Sequence, residues 1–170
     1  ANGGGTGTLP IQSPVSEGAS FTVASGASLS RAGFTFDGWN DGTDDYAAGA
    51  TYTMGVSNVT LTAKWTANPT HTVTYANGGG TGTLPTQVPV SEGASFTVAS
   101  GATLSRAGFT FAGWNDGTSN YTAGATYTMG TSNVTLTAQW TANPTHTVTY
   151  ANGGGTGTLP TQSPVSEGAS

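Results

Sequence analysis

The heptapeptide Asn-Gly-Gly-Gly-Thr-Gly-Thr begins at Asn2, again at Asn77 and again at Asn152, a period of 75 residues that never slips. Overlaying Ala1–Tyr75 on Ala76–Tyr150 needs no gap. It leaves nine mismatched positions: Ile11/Thr86, Ser13/Val88, Ser28/Thr103, Asp37/Ala112, Asp44/Ser119, Asp45/Asn120, Ala47/Thr122, Val56/Thr131 and Lys64/Gln139. A third copy opens at Ala151. So long a period exceeds a solenoid coil and matches a small domain near the lower edge of what folds alone. The expected organisation is beads on a string: a unit over 1–67 lacking its own first strand, a complete unit over 71–142, and the start of a third, first strand plus loop, over 146–170.

Composition narrows what such beads can do. Charged residues make up 6% of the chain, against about 25% in ordinary globular proteins, so hydroxyls and amides must carry solubility. Trp, Tyr, Phe, Val and Leu recur at fixed places, which gives every repeat material for a core and argues against disorder. The net charge is −5, and the three basic residues, Arg31, Lys64 and Arg106, are too few and too scattered to neutralise a phosphate backbone. Nucleic acid is excluded on that ground. No apolar run reaches the length of a membrane span and no signal peptide is visible. With no cysteine, neither disulfides nor thiolate sites are available, and compartment is left open.

Within the second repeat, alternation of polar and apolar residues predicts strands at Thr72–Tyr75, Ser95–Val98, Phe109–Trp114 and Val134–Trp140. The glycines of Asn77–Gly82 predict a loop, and Pro85 and Pro89 extend an irregular passage to about Ser95. One helical turn is expected around Thr103–Arg106. Trp114 follows Phe111 by three residues and breaks the strand's parity, so a bulge is expected at Gly113, followed by a turn at Asn115-Asp116-Gly117. The expected core is Val73, Tyr75, Phe96, Val98, Phe109, Phe111, Trp114, Tyr121, Val134, Leu136 and Trp140. No stretch holds a helical period, so helix should be scarce. The linkers Asn68-Pro69-Thr70 and Asn143-Pro144-Thr145 are short and stiffened by proline, which favours a rod.

Asn77-Gly78-Gly79 after an alternating strand, Arg106-Ala107-Gly108-Phe109-Thr110-Phe111 with Gly113-Trp114, and Leu136-Thr137-Ala138-Gln139-Trp140 together resemble the Listeria–Bacteroides repeat, the B-repeat of the internalins. The same signature stands at Arg31–Trp39 and Leu61–Trp65. The resemblance implies a small, mainly β, β-grasp-like fold (α+β with little helix), repeated in tandem in secreted or wall-attached bacterial surface proteins between an adhesive head and the envelope.

Chemistry finds little material here. The second repeat holds two acids, Glu92 and Asp116, and one histidine, His146, too few for a triad or a carboxylate pair. No catalytic residue and no cofactor are expected. His71 and His146 lie beside linkers and read as solvated. The run Gly78–Thr83 lacks the lysine of a phosphate loop. Asp41, Asp44 and Asp45 are crowded enough to be weak candidates for Ca²⁺, but their counterparts include Ser119 and Asn120, and turn-forming acids are the better reading. Trp39, Trp65, Trp114 and Trp140 with Tyr46 and Tyr121 would stack on sugars if exposed, although a small domain needs them in its core. The Asn-x-Thr triplets at Asn58, Asn120 and Asn133 carry no weight in a bacterial chain.

The resulting expectation is a structural spacer, stalk or filament segment of an extracellular bacterial protein, with neighbouring copies of the same repeat as its partners. The alternative is an adhesion module binding carbohydrate or a host surface protein through exposed aromatics. In a long array, the phase of the segment means nothing. If the ends are natural, the spare strand Thr147, Val148, Thr149 and Tyr150 can fill the vacant edge of the next molecule and give a head-to-tail fibre.

Overall fold

The computed structural model describes residues 1–168 as strands, turns and bends, with no helix among them. The expectation of a mainly β fold therefore holds, and its qualifier of a little helix does not. The helical turn anticipated around Thr103–Arg106 is a correction in particular. Leu104–Ser105 is a strand that pairs antiparallel with Thr81–Gly82, and Arg106 bridges to Phe109. Two consecutive short pairings claim the backbone donors that a helical turn would need.

The chain divides into two compact bodies. The first holds residues 1–71 with 89–96 and 128–132; the second holds 72–88, 97–127 and the chain from Asn133 on. In the first, Phe34–Asn40 is the centre of a three-stranded antiparallel sheet, flanked by Asp45–Tyr46 and Thr62–Ala67. Two-stranded pairings join Thr6–Gly7 to Leu29–Ser30, Ser20–Thr22 to Thr51–Thr53, and Thr70–His71 to Val90–Ser91. Pro89 thus does not keep the passage before Ser95 irregular throughout, because Val90 and Ser91 find partners in the linker. Glu92 N–H donates to Pro69 O, while Gly93 and Met129 exchange a further bond, Gly93 N–H to Met129 O at 2.9 Å. These contacts bring two short pieces of the second repeat into the first body.

The second body has the fuller sheet, with Asn120–Tyr121, Phe109–Asn115, Val134–Ala142 and Val73–Ala76 side by side. The last pair is parallel, Val134 opposite Val73 and Leu136 opposite Tyr75. The register of the central antiparallel pair shifts between Phe111 and Gly113, where Gly113 has φ of 132°. This is the bulge that the broken parity predicts: the extra residue brings Trp114 onto the Phe111 side, where the two ring centres lie 5.2 Å apart.

Trp114 and Leu136 are fully buried, with Val98, Tyr75 and Val73 also inside. Phe96, Phe109, Phe111, Tyr121, Val134 and Trp140 are half-buried. Burial of each large apolar side chain contributes about 1.5–3 kcal/mol, so the fully buried Trp114 and Leu136 matter most. The buried indole is also satisfied, its Nε1–H donating to Ala99 O at 2.9 Å.

The glycine-rich segment is a lid as well as a turn. Trp140 Nε1–H donates to Asn77 O at 3.0 Å, and its ring lies so close to Gly80 that a Cβ there would stand 2.3 Å from Cζ2. Only glycine permits that approach. Gly80→Ala should therefore destabilise the second repeat by about 1–3 kcal/mol through overpacking. Denaturant unfolding followed by tryptophan fluorescence checks this, with Thr83→Ala as the neutral control.

Candidate functional site

The acidic turns are the most polar feature of each repeat, and each is closed on itself. Asp116 Oδ1 accepts the backbone N–H groups of Thr118 at 2.8 Å and Ser119 at 2.7 Å. Its Oδ2 accepts the phenol hydroxyls of Tyr121 at 3.2 Å and Tyr127 at 3.3 Å. Asp41 does the same with Thr43, Asp44, Tyr46 and Tyr52. Donors that favour the charged form, the Ser119 N–H first and the Asp44 N–H first respectively, hold both carboxyls below the ordinary aspartate value. Burial, and then the carboxylate beside it, pushes the Tyr127 phenol up.

The three candidate calcium ligands are thereby sent to separate tasks. Asp41 faces its turn and the tyrosines. Asp45 faces Lys64, which bonds it and draws its carboxyl down, and it also accepts from Asn40 Nδ2 at 2.8 Å. Asp44 is exposed. No group of three His, Cys, Asp or Glu side chains gathers for a metal among the described residues.

Lys64 also lies 3.9 Å from Asp37. Three of the nine differences between the repeats, Asp37/Ala112, Asp45/Asn120 and Lys64/Gln139, therefore fall in one surface cluster, and the second copy loses all three charges together. The geometry under them persists, since Asn115 Nδ2 donates to Asn120 Oδ1 at 2.8 Å. Both arginines are engaged as well: the Arg31 guanidinium lies 3.8 Å from the Phe34 ring centre and that of Arg106 3.9 Å from Phe109, a cation–π arrangement.

The aromatics expected either in a core or on a binding face divide clearly. Trp39 and Trp114 are buried. Trp65 and Trp140 are half-covered and hydrogen-bonded to loop carbonyls, and Tyr46 and Tyr121 are tied to the acidic turns. The most exposed large apolar side chains are aliphatic: Ile11 is 97% exposed, with Val56 and Val88 also outside.

The linkers are built alike. Asn68 N–H donates to Gly33 O at 2.9 Å, its Oδ1 accepts Thr35 Oγ1–H at 2.7 Å, and its Nδ2 donates to Glu92 O at 2.9 Å. Asn143 repeats all three bonds with Gly108, Thr110 and Glu167. His71 does not match the expectation of a solvated side chain. Because Val90–Ser91 folds back onto the linker, His71 is left only 17% exposed, with Nε2 3.8 Å from Glu92 Oε2. His146, by contrast, is exposed. Sequence spacing gave no sign of this linker clamp; the recurring Asn-Pro-Thr was its one visible trace.

The remaining candidate is a groove. In the first body, Phe21, Ala24, Trp39, Val59 and Leu61 line a cavity of about 500 Å³ together with the Leu9–Val15 loop. The predicted donor segment Thr147–Tyr150 lies in no strand. Its counterpart Val73–Ala76 pairs with Val134–Thr137, 61 residues further along the chain.

Two measurements follow from these contacts. A carboxyl held low in the folded state contributes stability that is present above its unfolded value, 3.8, and is lost as pH falls through the lower folded value. Asp116→Asn should lower Tm by several degrees at pH 7 and narrow to little difference near pH 2, read from thermal melts across pH. The triple change Asp37→Ala, Asp45→Asn, Lys64→Gln, which copies the second repeat, should move Tm by less than about 3 °C, because exposed ion pairs are weak.

The profile of the Listeria-Bacteroides repeat domain matches residues 1–64 and 71–139. A Gly-rich protein of Evansella cellulosilytica, provisionally described as a membrane protein, is 33% identical over 163 residues, covering 88% of this chain and 18% of its own length. A second protein of that organism, with the provisional description of membrane protein, is 34% identical over 127 residues, 72% of this chain and 19% of its own. The chain thus spans under a fifth of the length of these relatives. No solved structure matches it. Both repeats thus match one family model over most of their length, and the chain belongs to the Listeria-Bacteroides repeat domain family.

Proposed function

We propose that this chain is a spacer: tandem β-domains of a bacterial extracellular surface protein that hold other parts of it at a distance and perform no chemistry. The observation that carries the reading is the linker. Asn68 and Asn143 each bind the strand turn before them and the Val-Ser-Glu segment after them with the same three hydrogen bonds. A loose tether has no need of such a clamp. Family membership supports the surface location, since this repeat is typical of extracellular surface proteins, and so does the description of the relatives as membrane proteins. No helix of the described residues is long and apolar enough to cross a membrane, so any anchor that is a helix would come from another part of the protein. The inventory of polar side chains supports the absence of chemistry, for Asp41 and Asp116 are committed to their turns, Asp45 to Lys64, and the two arginines to aromatic rings.

The alternative, adhesion through exposed aromatics, draws no support from the indoles, all four of which are at least half-covered.

Arrays of two, four and eight repeats should show a maximum dimension that rises linearly with repeat number in small-angle X-ray scattering. Growth with the square root of the number, as for a flexible chain, would overturn the spacer reading. Replacing each linker asparagine by alanine removes two side-chain hydrogen bonds, worth about 1–3 kcal/mol together, and should shorten the eight-repeat array.

A further inference from the structure

His71 is a titratable group that the linker clamp covers without using. Its side chain is 17% exposed, and Nε2 is closed off from solvent with no hydrogen-bond partner. A polar nitrogen is seldom left in that state, because it has given up water and gained no bond in exchange.

The fold places one group that can answer it. His71 stands opposite Val90 in the antiparallel pairing of Thr70–His71 with Val90–Ser91. Side chains alternate along a strand, so Glu92, two residues after Val90, shares that face as a diagonal neighbour. Its Oε2 lies 3.8 Å from His71 Nε2, and among the described residues Glu92 is the one carboxylate within 4 Å of the imidazole. That separation is too long for a hydrogen bond. The Glu92 backbone is held on both sides, its N–H donating to Pro69 O at 2.8 Å and its carbonyl accepting Asn68 Nδ2–H at 2.9 Å. Its side chain is 38% exposed and has room to turn. The other segments gathered at this linker bring little competing charge. Residues 128–132 carry none, and residues 89–96 carry Glu92 alone. The strand Phe34–Asn40 and the turn before it bring Arg31, which is stacked on Phe34, and Asp37, which faces Lys64.

We propose that His71 and Glu92 form an acid-set latch on the Asn68 linker. When the imidazole takes up a second proton, both ring nitrogens become donors. Attraction between the two charges then draws Glu92 Oε2 onto Nε2–H as a charge-assisted hydrogen bond. The linker and the Val-Ser-Glu segment share one bond more than the asparagine clamp supplies. When the proton leaves, the carboxylate faces a neutral ring and that bond is lost. The extra hold is therefore present below the ordinary imidazole value of about 6.5 and fades as pH rises past it. The carboxyls of Asp41 and Asp116 are held below 3.8 and do not titrate in that window. Only the use of the latch rests on the spacer reading: it makes the joint between repeats firmer in acid surroundings.

Native-state hydrogen exchange of the 170-residue chain, followed by NMR at the Glu92 amide, tests the proposal. After correction for the intrinsic pH dependence of exchange, protection should be about threefold higher near pH 5.5 than near pH 8, the size expected of a partly exposed ion pair. His71→Gln and Glu92→Gln keep polar side chains of similar length and should each remove the difference. His146→Gln, at the chain's other histidine, should leave it intact. Equal protection at the two pH values overturns the proposal, and so does a difference that survives His71→Gln or Glu92→Gln. Scattering from repeat arrays at both pH values separates the two readings. Lengths that grow linearly in each keep the spacer whatever the Glu92 amide does, and a flexible array with a pH-dependent Glu92 amide keeps the latch and loses the spacer.

Discussion

The antiparallel seam between Phe109–Asn115 and Val134–Ala142, with its bulge at Gly113, carries the rest of the repeat. Without the register shift, Trp114 would share a face with neither the buried Leu136 nor Tyr75. With it, one indole becomes the centre on which Tyr75, Phe111 and the Ala99 carbonyl converge. The same bulge at Gly38 sets Trp39 in the first repeat. A domain of this size has too little volume for several independent cores, so one misplaced strand face would leave nothing to close the other short pairings around.

The duplication provides an internal comparison that bears on which positions matter. In the first repeat all nine positions that differ are exposed, and in the second only Gln139 is even half-buried. The core has not changed at a single side chain. The surface has changed in concert where charges meet: Asp37, Asp45 and Lys64 are replaced together by Ala112, Asn120 and Gln139, which leaves no unpaired charge behind. The acidic turn, although it too lies near the surface, keeps its aspartate and both tyrosines in each copy, because the carboxylate holds two backbone donors and two phenols at once. Polar residues that organise backbone resist change as core residues do, and those that only face water do not.

Much of the strand pattern was legible from alternation and glycine placement. Phe109 to Trp114 and Val134 to Trp140 could be read as strands, and the bulge between Phe111 and Trp114 could be read from parity alone. The clamp at Asn68 and Asn143 could not, because its partners Gly33, Thr35 and Glu92 stand up to 35 residues away along the chain and carry no periodic mark. The same applies to Val90–Ser91, flanked by proline and glycine and too short to show alternation. The helical turn around Thr103–Arg106 failed because local composition there is neutral, and distant pairing with Thr81–Gly82 decided the matter.

The sequence by itself determined the 75-residue period, the mainly β class, the family and the poverty of reactive groups, since all four follow from residue identity and spacing. Tertiary structure alone decided that the glycines of the loop are a seat for an indole and that His71 is half-buried. These are relations between segments brought together by folding, which no local pattern of residues records.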